Sequence, residues 1–276
     1  MEPRLVRLSE PGTTTMFSPL QLRPRFVLGQ ASSGLARWLG QYVTPFPAMV
    51  AEYGNAVVVT DLRIDDVPGR PGFTEAASVD VRCGLTLDPA GERMRLTVDC
   101  AAGGRPLAHA VLSARVLSVA EGAGLSAGPG VLHAALRERF TPAETVPVPR
   151  PPDPHPGHGP EVLPEQEWRT FISRSHAEVA DQWSYIEMAE LATQARERLF
   201  TEGLHGELPP HRVIGTPTRT LHAFFRRPMF VYDACVVRTS AHAVPDTGGL
   251  CFRHRIGPPG ARRAHLTVCE VLEPQP

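Results

Sequence analysis

Apolar positions along this chain recur with two periods. Leu35, Trp38, Leu39 and Tyr42 fall on one face at helical spacing. Met188, Ala189, Ala192, Ala195 and Leu199 do the same from residue 185 onward, and Gly203 closes that run. Between and after these stripes the pattern changes to strands rich in Val, Leu and Thr. NAVVVTDLRI, EAASVDVRCGLTL, RMRLTVDCA and PLAHAVLSARVLSV follow the first stripe, parted by turn-forming DPAGE and AGGR. RTLHAFFRR, MFVYDACVVRTSAHA, GLCFRHRI and RAHLTVCEVL follow the second, parted by PDTGG and GPPGA. A strand is predicted ahead of each helix: PRFVLGQ at 24–30, and TFISRSHAEVA at 170–180, whose alternation places Arg174, His176 and Glu178 on one face. Ser33 is a candidate cap for the first helix, PAMVAEYG a further helical turn stopping at Gly54, and PGVLHAALRERF a short amphipathic helix.

Each half thus reads as strand, dominant helix, then antiparallel strands. The helix must bury its stripe and the sheet one face, so each covers the other. The halves are divided by TPAETVPVPRPPDPHPGHGPEVLPEQ, which holds nine prolines and predicts a semi-rigid extended linker. The predicted organisation is residues 1–140, a linker over 141–166, and residues 167–276, in the α+β class.

Composition narrows the function. The chain has 276 residues, a net charge of −1 and no Lys; all 28 basic residues are Arg. This excludes Schiff-base catalysis and a phosphate-loop lysine, and it leaves no basic field for nucleic acid. A single Asn and abundant Ala, Arg, Gly and Pro resemble the output of a GC-rich, actinomycete-like genome. No apolar run reaches the length of a membrane span, and MEPRLVRLSEPG lacks the apolar segment of a signal peptide. A cytoplasmic protein without a membrane anchor is expected. Cys83, Cys100, Cys235, Cys251 and Cys269 lie among strand residues without C-x-x-C spacing, so buried thiols are expected and no metal site. GLSAG at 124–128 has nucleophile-elbow spacing, but in a Gly/Ala loop rather than between strand and helix.

Candidate chemistry gathers before the second helix. Ser184 and Glu187 have capping-box spacing, with Trp183 and Met188 as the hydrophobic staple. Asp181 lies three residues ahead of that cap, either to shape a turn or to act as general base beside the free amides of the helix N-terminus. Gln182 could orient a carbonyl or water. Tyr185 could donate a hydrogen bond or fill the core. Gln30, Ser32 and Ser33 are the polar residues at the first helix, and of these Gln30 and Ser33 are the substrate-binding candidates. Arg226 and Arg227 could hold a carboxylate or phosphate, or line a solvated strand edge.

FFRRPMFVYDACVVRT at 224–239 resembles an Arg-Pro strand start followed by Asp and an alternating strand in acyl-thioester proteins of the hot-dog fold. RLTVDCAAGGRPLAHAVLSARVLSV at 95–119 resembles their long hairpin, and DQWSYIEMAELATQAR at 181–196 occupies the place of their aspartate and central helix. The resemblance implies two tandem hot-dog units forming a pseudo-dimer, an antiparallel sheet wrapped around a central helix in each. FVLGQ at 26–30 and the Trp-bearing helix further resemble the leinamycin-type acyltransferase/decarboxylase family of polyketide pathways. That implies an enzyme acting on an acyl group carried by coenzyme A or an acyl carrier protein, with no cofactor beyond the phosphopantetheine carrier, by transfer with decarboxylation or by hydrolysis. Dehydration or cyclisation of a carrier-bound polyketide, and non-catalytic acyl binding, are the alternatives. The chain would be a monomeric pseudo-dimer or a homodimer. One departure is clear: Gln182, Trp183 and Ser184 stand where common hot-dog thioesterases carry Gly-His and Asn-Asn after the aspartate.

Overall fold

The structure is a computed structural model, and it describes residues 2–119, 127–149, 159–245 and 247–272. In the first half β1 (Leu5–Pro11) precedes helix α1 (Pro24–Tyr42) and helix α2 (Phe46–Tyr53). Strands β2 (Asn55–Asp66), β3 (Ser78–Leu87), β4 (Arg93–Ala102), β5 (Arg105–Val119) and β6 (Ala127–Pro129) follow, then a one-turn helix α3 (Ala134–Arg137). The second half runs β7 (Glu161–Phe171), α4 (Tyr185–Thr201), a one-turn helix α5 (His211–Ile214), β8 (Thr218–Phe225), β9 (Ala234–Ala243), β10 (Leu250–Gly257) and β11 (Leu266–Leu272).

One sheet spans both halves in the order β1-β3-β4-β5-β2-β8-β11-β10-β9-β7, with β6 added beside β5. Read inward from each edge, the two halves follow the same path. β7, β9, β10, β11 and β8 repeat β1, β3, β4, β5 and β2. The equivalent strands β2 and β8 then meet antiparallel, as a two-fold axis between them requires. Their register pairs Leu62 with Ala223 and Ile64 with Leu221, which are buried core residues, while Arg63 pairs with His222 on the opposite face.

Helix α1 begins seven residues earlier than a reading of 24–30 as a strand allows. Pro24 occupies its first turn, where the missing N–H costs nothing, and Phe26, Val27 and Leu28 are helical. Ser33 therefore lies mid-helix and caps nothing. The strand ahead of α1 is LVRLSEP at residues 5–11 instead. α1 buries Val27, Leu28, Ala31, Gly34, Trp38 and Leu39 against the sheet. Gly34 faces β3 so closely that a Cβ there would overlap the Cys83 side chain. α2 stops at Gly54 in a left-handed conformation, φ 60°, as expected.

β7 also departs from expectation. It starts at Glu161, so Glu161–Gln166 belongs to the sheet rather than to the linker, and Glu165 holds Arg255 at 2.5 Å. β7 ends at Phe171, where residues 174–176 turn in a 3-10 helix, so 172–180 is no strand. His155 and His158 of the linker, and most of GLSAG, lie outside the described residues. All five cysteines are buried free thiols. Among the described residues no helix is long and apolar enough to cross a membrane.

Candidate active site at the mouth of the second helix

The segment before α4 is a tight hairpin. Glu178 N donates to Gln182 O (2.9 Å), Asp181 N donates to Glu178 O (2.9 Å), and Ala177 bridges Trp183. Asp181 closes the turn at φ 55°, a left-handed conformation that Asp tolerates better than most residues. Its carbonyl accepts from Val231 N at 2.8 Å. The Asp181 carboxylate points outward: its side chain is 68% exposed and meets Arg174 at 3.4 Å. The backbone of Asp181 thus builds the mouth, and its carboxylate sits on the rim.

The cap of α4 takes a different form from a capping box. Ser184 Oγ accepts from Ile186 N (3.3 Å), and Ser184 N donates to His176 O (2.7 Å). That backbone donor is already satisfied, so Glu187 turns away and binds Arg25 of α1 at 2.8 Å. Arg25 and Glu187 come from opposite halves, as do the groups that meet at Tyr185.

Tyr185 is the first residue of α4, and its phenol lies close enough to the Ser32 hydroxyl of α1 for the two to act on each other. Burial pushes the phenol up to about 12; Ser32 works against that shift, and the nearby charge of Glu178 adds to it. Tyr185 therefore keeps its proton at neutral pH and is a donor, not a base or nucleophile. Beside it, Glu178 Oε1 accepts from Gln182 Nε2 at 2.8 Å. The residue as a whole is exposed, yet protein packed around its carboxylate raises the pKa above the ordinary value, and the Gln182 bond only partly offsets this. A neutral hydroxyl donor, a carboxylate of raised basicity and an amide that orients it thus converge at a helix N-terminus.

Tyr185, Gln182 and the backbone of Asp181 lie together at the mouth, and the remaining candidates lie outside it. Gln30 lies inside α1, half-buried, with its Oε1 buried and unpaired. Ser33 is exposed, as is its neighbour Ser32, whose hydroxyl is the one near the Tyr185 phenol. Arg226 Nη1 donates to Thr267 Oγ1 (3.1 Å), and the guanidinium stacks over Phe224 at 5.0 Å. Arg227 is exposed, and its backbone N–H donates to His265 O. Both arginines precede Met229 and Phe230, whose backbone joins Trp183 and Gln182, so they border the mouth without entering it. Glu178 and Ser32 complete the cluster. Glu178 comes to the mouth because residues 174–176 turn in a 3-10 helix instead of continuing a strand, and Ser32 lies on α1 because that helix already starts at Pro24.

No known protein family matches the sequence, and no curated protein does. Solved structures do match, over nearly the full length of both chains. A protein assigned as an oleoyl thioesterase from Lactobacillus plantarum superposes with a TM-score of 0.75 at 11% identity, over 99% of this chain and 98% of that one. An acyl-ACP thioesterase from Bacteroides thetaiotaomicron gives 0.67 at 8% identity, over 98% of each chain. This chain is a double hot-dog. A 12:0-ACP thioesterase from Umbellularia californica gives 0.65 at 10% identity, over 98% of this chain and 94% of that one. In hot-dog terms α1 and α4 are the two central helices, and the seam between β2 and β8 is where two such units pair.

Proposed function

We propose that this double hot-dog binds an acyl thioester, carried on coenzyme A or an acyl carrier protein, at the α4 mouth and hydrolyses it. The observation that carries the reading is the pairing of Tyr185, which holds its proton, with Glu178, which is made more basic. Two neighbouring titratable groups pushed toward distinct roles support acid–base chemistry. The double hot-dog fold shared with the three thioesterases is consistent with it, and fold alone would not decide the matter.

In this reading the thioester carbonyl oxygen lies at the α4 N-terminus, where unpaired amides and the helix dipole favour developing negative charge. Tyr185 donates to that oxygen, with Ser32 beside the phenol. Glu178 takes a proton from water as the water oxygen bonds to the carbonyl carbon. The C–S bond then breaks, and the proton passes to the departing thiolate. Gln182 holds the Glu178 carboxylate. Asp181 supplies the turn, and Arg226 and Arg227 border the approach of the carrier.

A leinamycin-type transfer with decarboxylation in a polyketide pathway is the finer alternative. Attack by a tyrosine would need a phenolate, which the raised pKa of Tyr185 disfavours. Mass spectrometry of acyl-, malonyl- and methylmalonyl-thioesters with the protein distinguishes the outcomes. Free acid, lost in Glu178→Gln and Tyr185→Phe, supports hydrolysis. Loss of CO₂ with acyl appearing on the carrier protein would replace it with transfer. Intact thioesters throughout would leave only a binding role.

A further inference from the structure

Asp181 and Tyr232 are the only non-glycine residues with a left-handed backbone among the described residues, at φ 55° and 71°. Both stand on the rim of the α4 mouth. Asp tolerates that conformation; for Tyr it costs free energy that glycine would not incur. The strain secures no packing for the Tyr232 ring, which is 67% exposed. One side chain joins the two residues. The Arg174 guanidinium meets the Asp181 carboxylate at 3.4 Å and lies over the Tyr232 ring at 5.7 Å. The loop beneath is pinned on both sides: Tyr232 N donates to Ile172 O (2.7 Å) and Val231 N to Asp181 O (2.8 Å). A strained residue that the surrounding bonds hold in place, with its ring in water, points to a contact made outside this chain.

Its neighbours share the exposure. Phe171, Val179 and Phe230 are exposed on the same rim, and Val179 and Tyr232 are the two most exposed large apolar side chains among the described residues. Single exposed apolar side chains need no explanation, but four around one opening form a patch. Arginines border it. Arg227 is exposed, and the backbone N–H groups of Arg226 and Arg227 both donate to His265 O, which brings the turn bearing the exposed Arg262 and Arg263 alongside. Segments 171–183, 226–233 and 257–265 together hold five arginines against three carboxylates, Glu178, Asp181 and Asp233. The whole chain has 28 basic and 29 acidic residues, so this end is basic on a molecule that is not.

Aromatic and Arg side chains around an apolar centre are the composition of a protein interface. We propose that this rim docks the acidic face of an acyl carrier protein, with Tyr232 as its anchor, so that the thioester arrives at the α4 mouth on a protein rather than on coenzyme A. This rests on the reading of the mouth as a thioester site. Four side chains from two segments offer more apolar surface than one adenine ring covers. Glu178, Asp181 and Asp233 lie among the arginines, a mixed pattern that a partner of fixed charges can match and a uniformly anionic bilayer cannot. Holding Tyr232 in place beforehand removes the cost of ordering it on binding.

The test compares one acyl group on three carriers: acyl carrier protein, coenzyme A and N-acetylcysteamine. Tyr232→Gly removes the ring and the strain together, so its melting temperature should equal or exceed that of wild type. Its KM for the carrier-protein thioester should rise about tenfold, the scale of an interface anchor, with kcat unchanged, while kcat/KM for the other two thioesters stays within about twofold. Arg262→Glu combined with Arg263→Glu should raise the same KM and weaken its dependence on salt. Equal losses on all three carriers, or none on any, overturn the docking surface. A wild type that prefers coenzyme A, or that binds phosphatidylglycerol vesicles through Tyr232, overturns it as well. If wild type hydrolyses none of the three, the hydrolysis reading falls, and calorimetry of acyl carrier protein with wild type and Tyr232→Gly decides the docking alone. Binding weakened about tenfold by the substitution upholds it; equal or absent binding overturns it.

Discussion

The carboxylate of Asp61 lies 2.6 Å from Nε2 of His222, and the two residues belong to different halves of the molecule. Asp61 is 4% exposed, on β2, and His222 is on β8, so the bond crosses the seam that joins the halves. A hydrogen bond to a charged group of this kind is worth about 1.5–3 kcal/mol. His222→Ala should lower unfolding free energy by that amount in urea titrations. Asp61→Asn should lose less, because an amide can still bond the ring. A double-mutant cycle with a coupling near zero would show that the pair is ornamental.

Tyr185→Phe removes one hydroxyl and little volume. Turnover of the accepted thioester should fall about 10²–10³-fold, the scale of a lost oxyanion donor. Melting should change by the equivalent of no more than about 1 kcal/mol. Equal activity in the two proteins would remove Tyr185 from the chemistry.

Glu178 and Asp181 separate the two carboxylates of the mouth. Glu178→Gln should abolish hydrolysis, whereas Asp181→Asn, which keeps the left-handed turn, should stay within about threefold of wild type. The base acts ionised, so kcat/KM should climb with pH through the Glu178 pKa, at a value above that of an ordinary glutamate. Steady-state kinetics reversing the two variants would return the role to Asp181.

Glu144 ties the end of the first half to its first strand. It accepts from Arg4 Nε (2.7 Å), Arg4 Nη2 (2.6 Å), Arg4 N (2.9 Å) and Thr141 N (2.9 Å). Burial would raise its pKa, but these bonds and the Arg4 charge prevail and hold it at about 2. An acid stronger in the folded state binds fewer protons there than when unfolded. Its stabilisation is therefore complete above the ordinary glutamate range and is lost as pH falls toward about 2. Glu144→Gln should flatten that part of the stability–pH curve. Arg4 is 27% exposed and can return to water, so the loss should be about 1.5–3 kcal/mol, the scale of a hydrogen bond to a charged group, which chemical denaturation at pH 7 would register.

Gly34→Ala sets two effects against each other. Helix propensity favours Ala by about 1 kcal/mol, whereas overpacking against Cys83 costs about 1–3 kcal/mol. The new Cβ would stand 2.9 Å from the Cys83 Cβ and overlap its sulfur, so overpacking should win and the melting temperature should fall. Adding Cys83→Ala, which removes the sulfur but keeps the Cβ at 2.9 Å, should restore part of the loss. A rescue that fails would mean the helix meets β3 elsewhere.

Much of this fold is legible in the sequence because its signals are periodic. The α4 stripe, the alternating strands and the Gly54 stop follow from spacing and turn chemistry alone. PRFVLGQ was not, because Phe, Val and Leu suit strands; Pro24 at the first helical turn was the available signal against it. The mouth was only half legible. Tyr185 and Gln182 follow from where α4 begins. The partnership of Tyr185 with Ser32 depends on how two helices 150 residues apart in sequence lie against each other, and no local pattern encodes that. Glu187 met its capping spacing and was claimed instead by Arg25, a tertiary contact that local propensity does not foresee.

Arg196, on the packed face of α4, meets the buried Glu270 at 3.1 Å, and Glu270 in turn lies 3.1 Å from the buried His254; the packed face of α1 has no such charge, for Val27, Leu28, Ala31, Gly34, Trp38 and Leu39 are all apolar or glycine. Two identical subunits could not hold that difference, since every substitution in a homodimer is made twice. Joining the units in one chain frees each helix to be edited alone. The face of one central helix can stay apolar while the other carries charge at depth. Covalent linkage here does more than raise local concentration: it lets a pair of like units differ in their interiors.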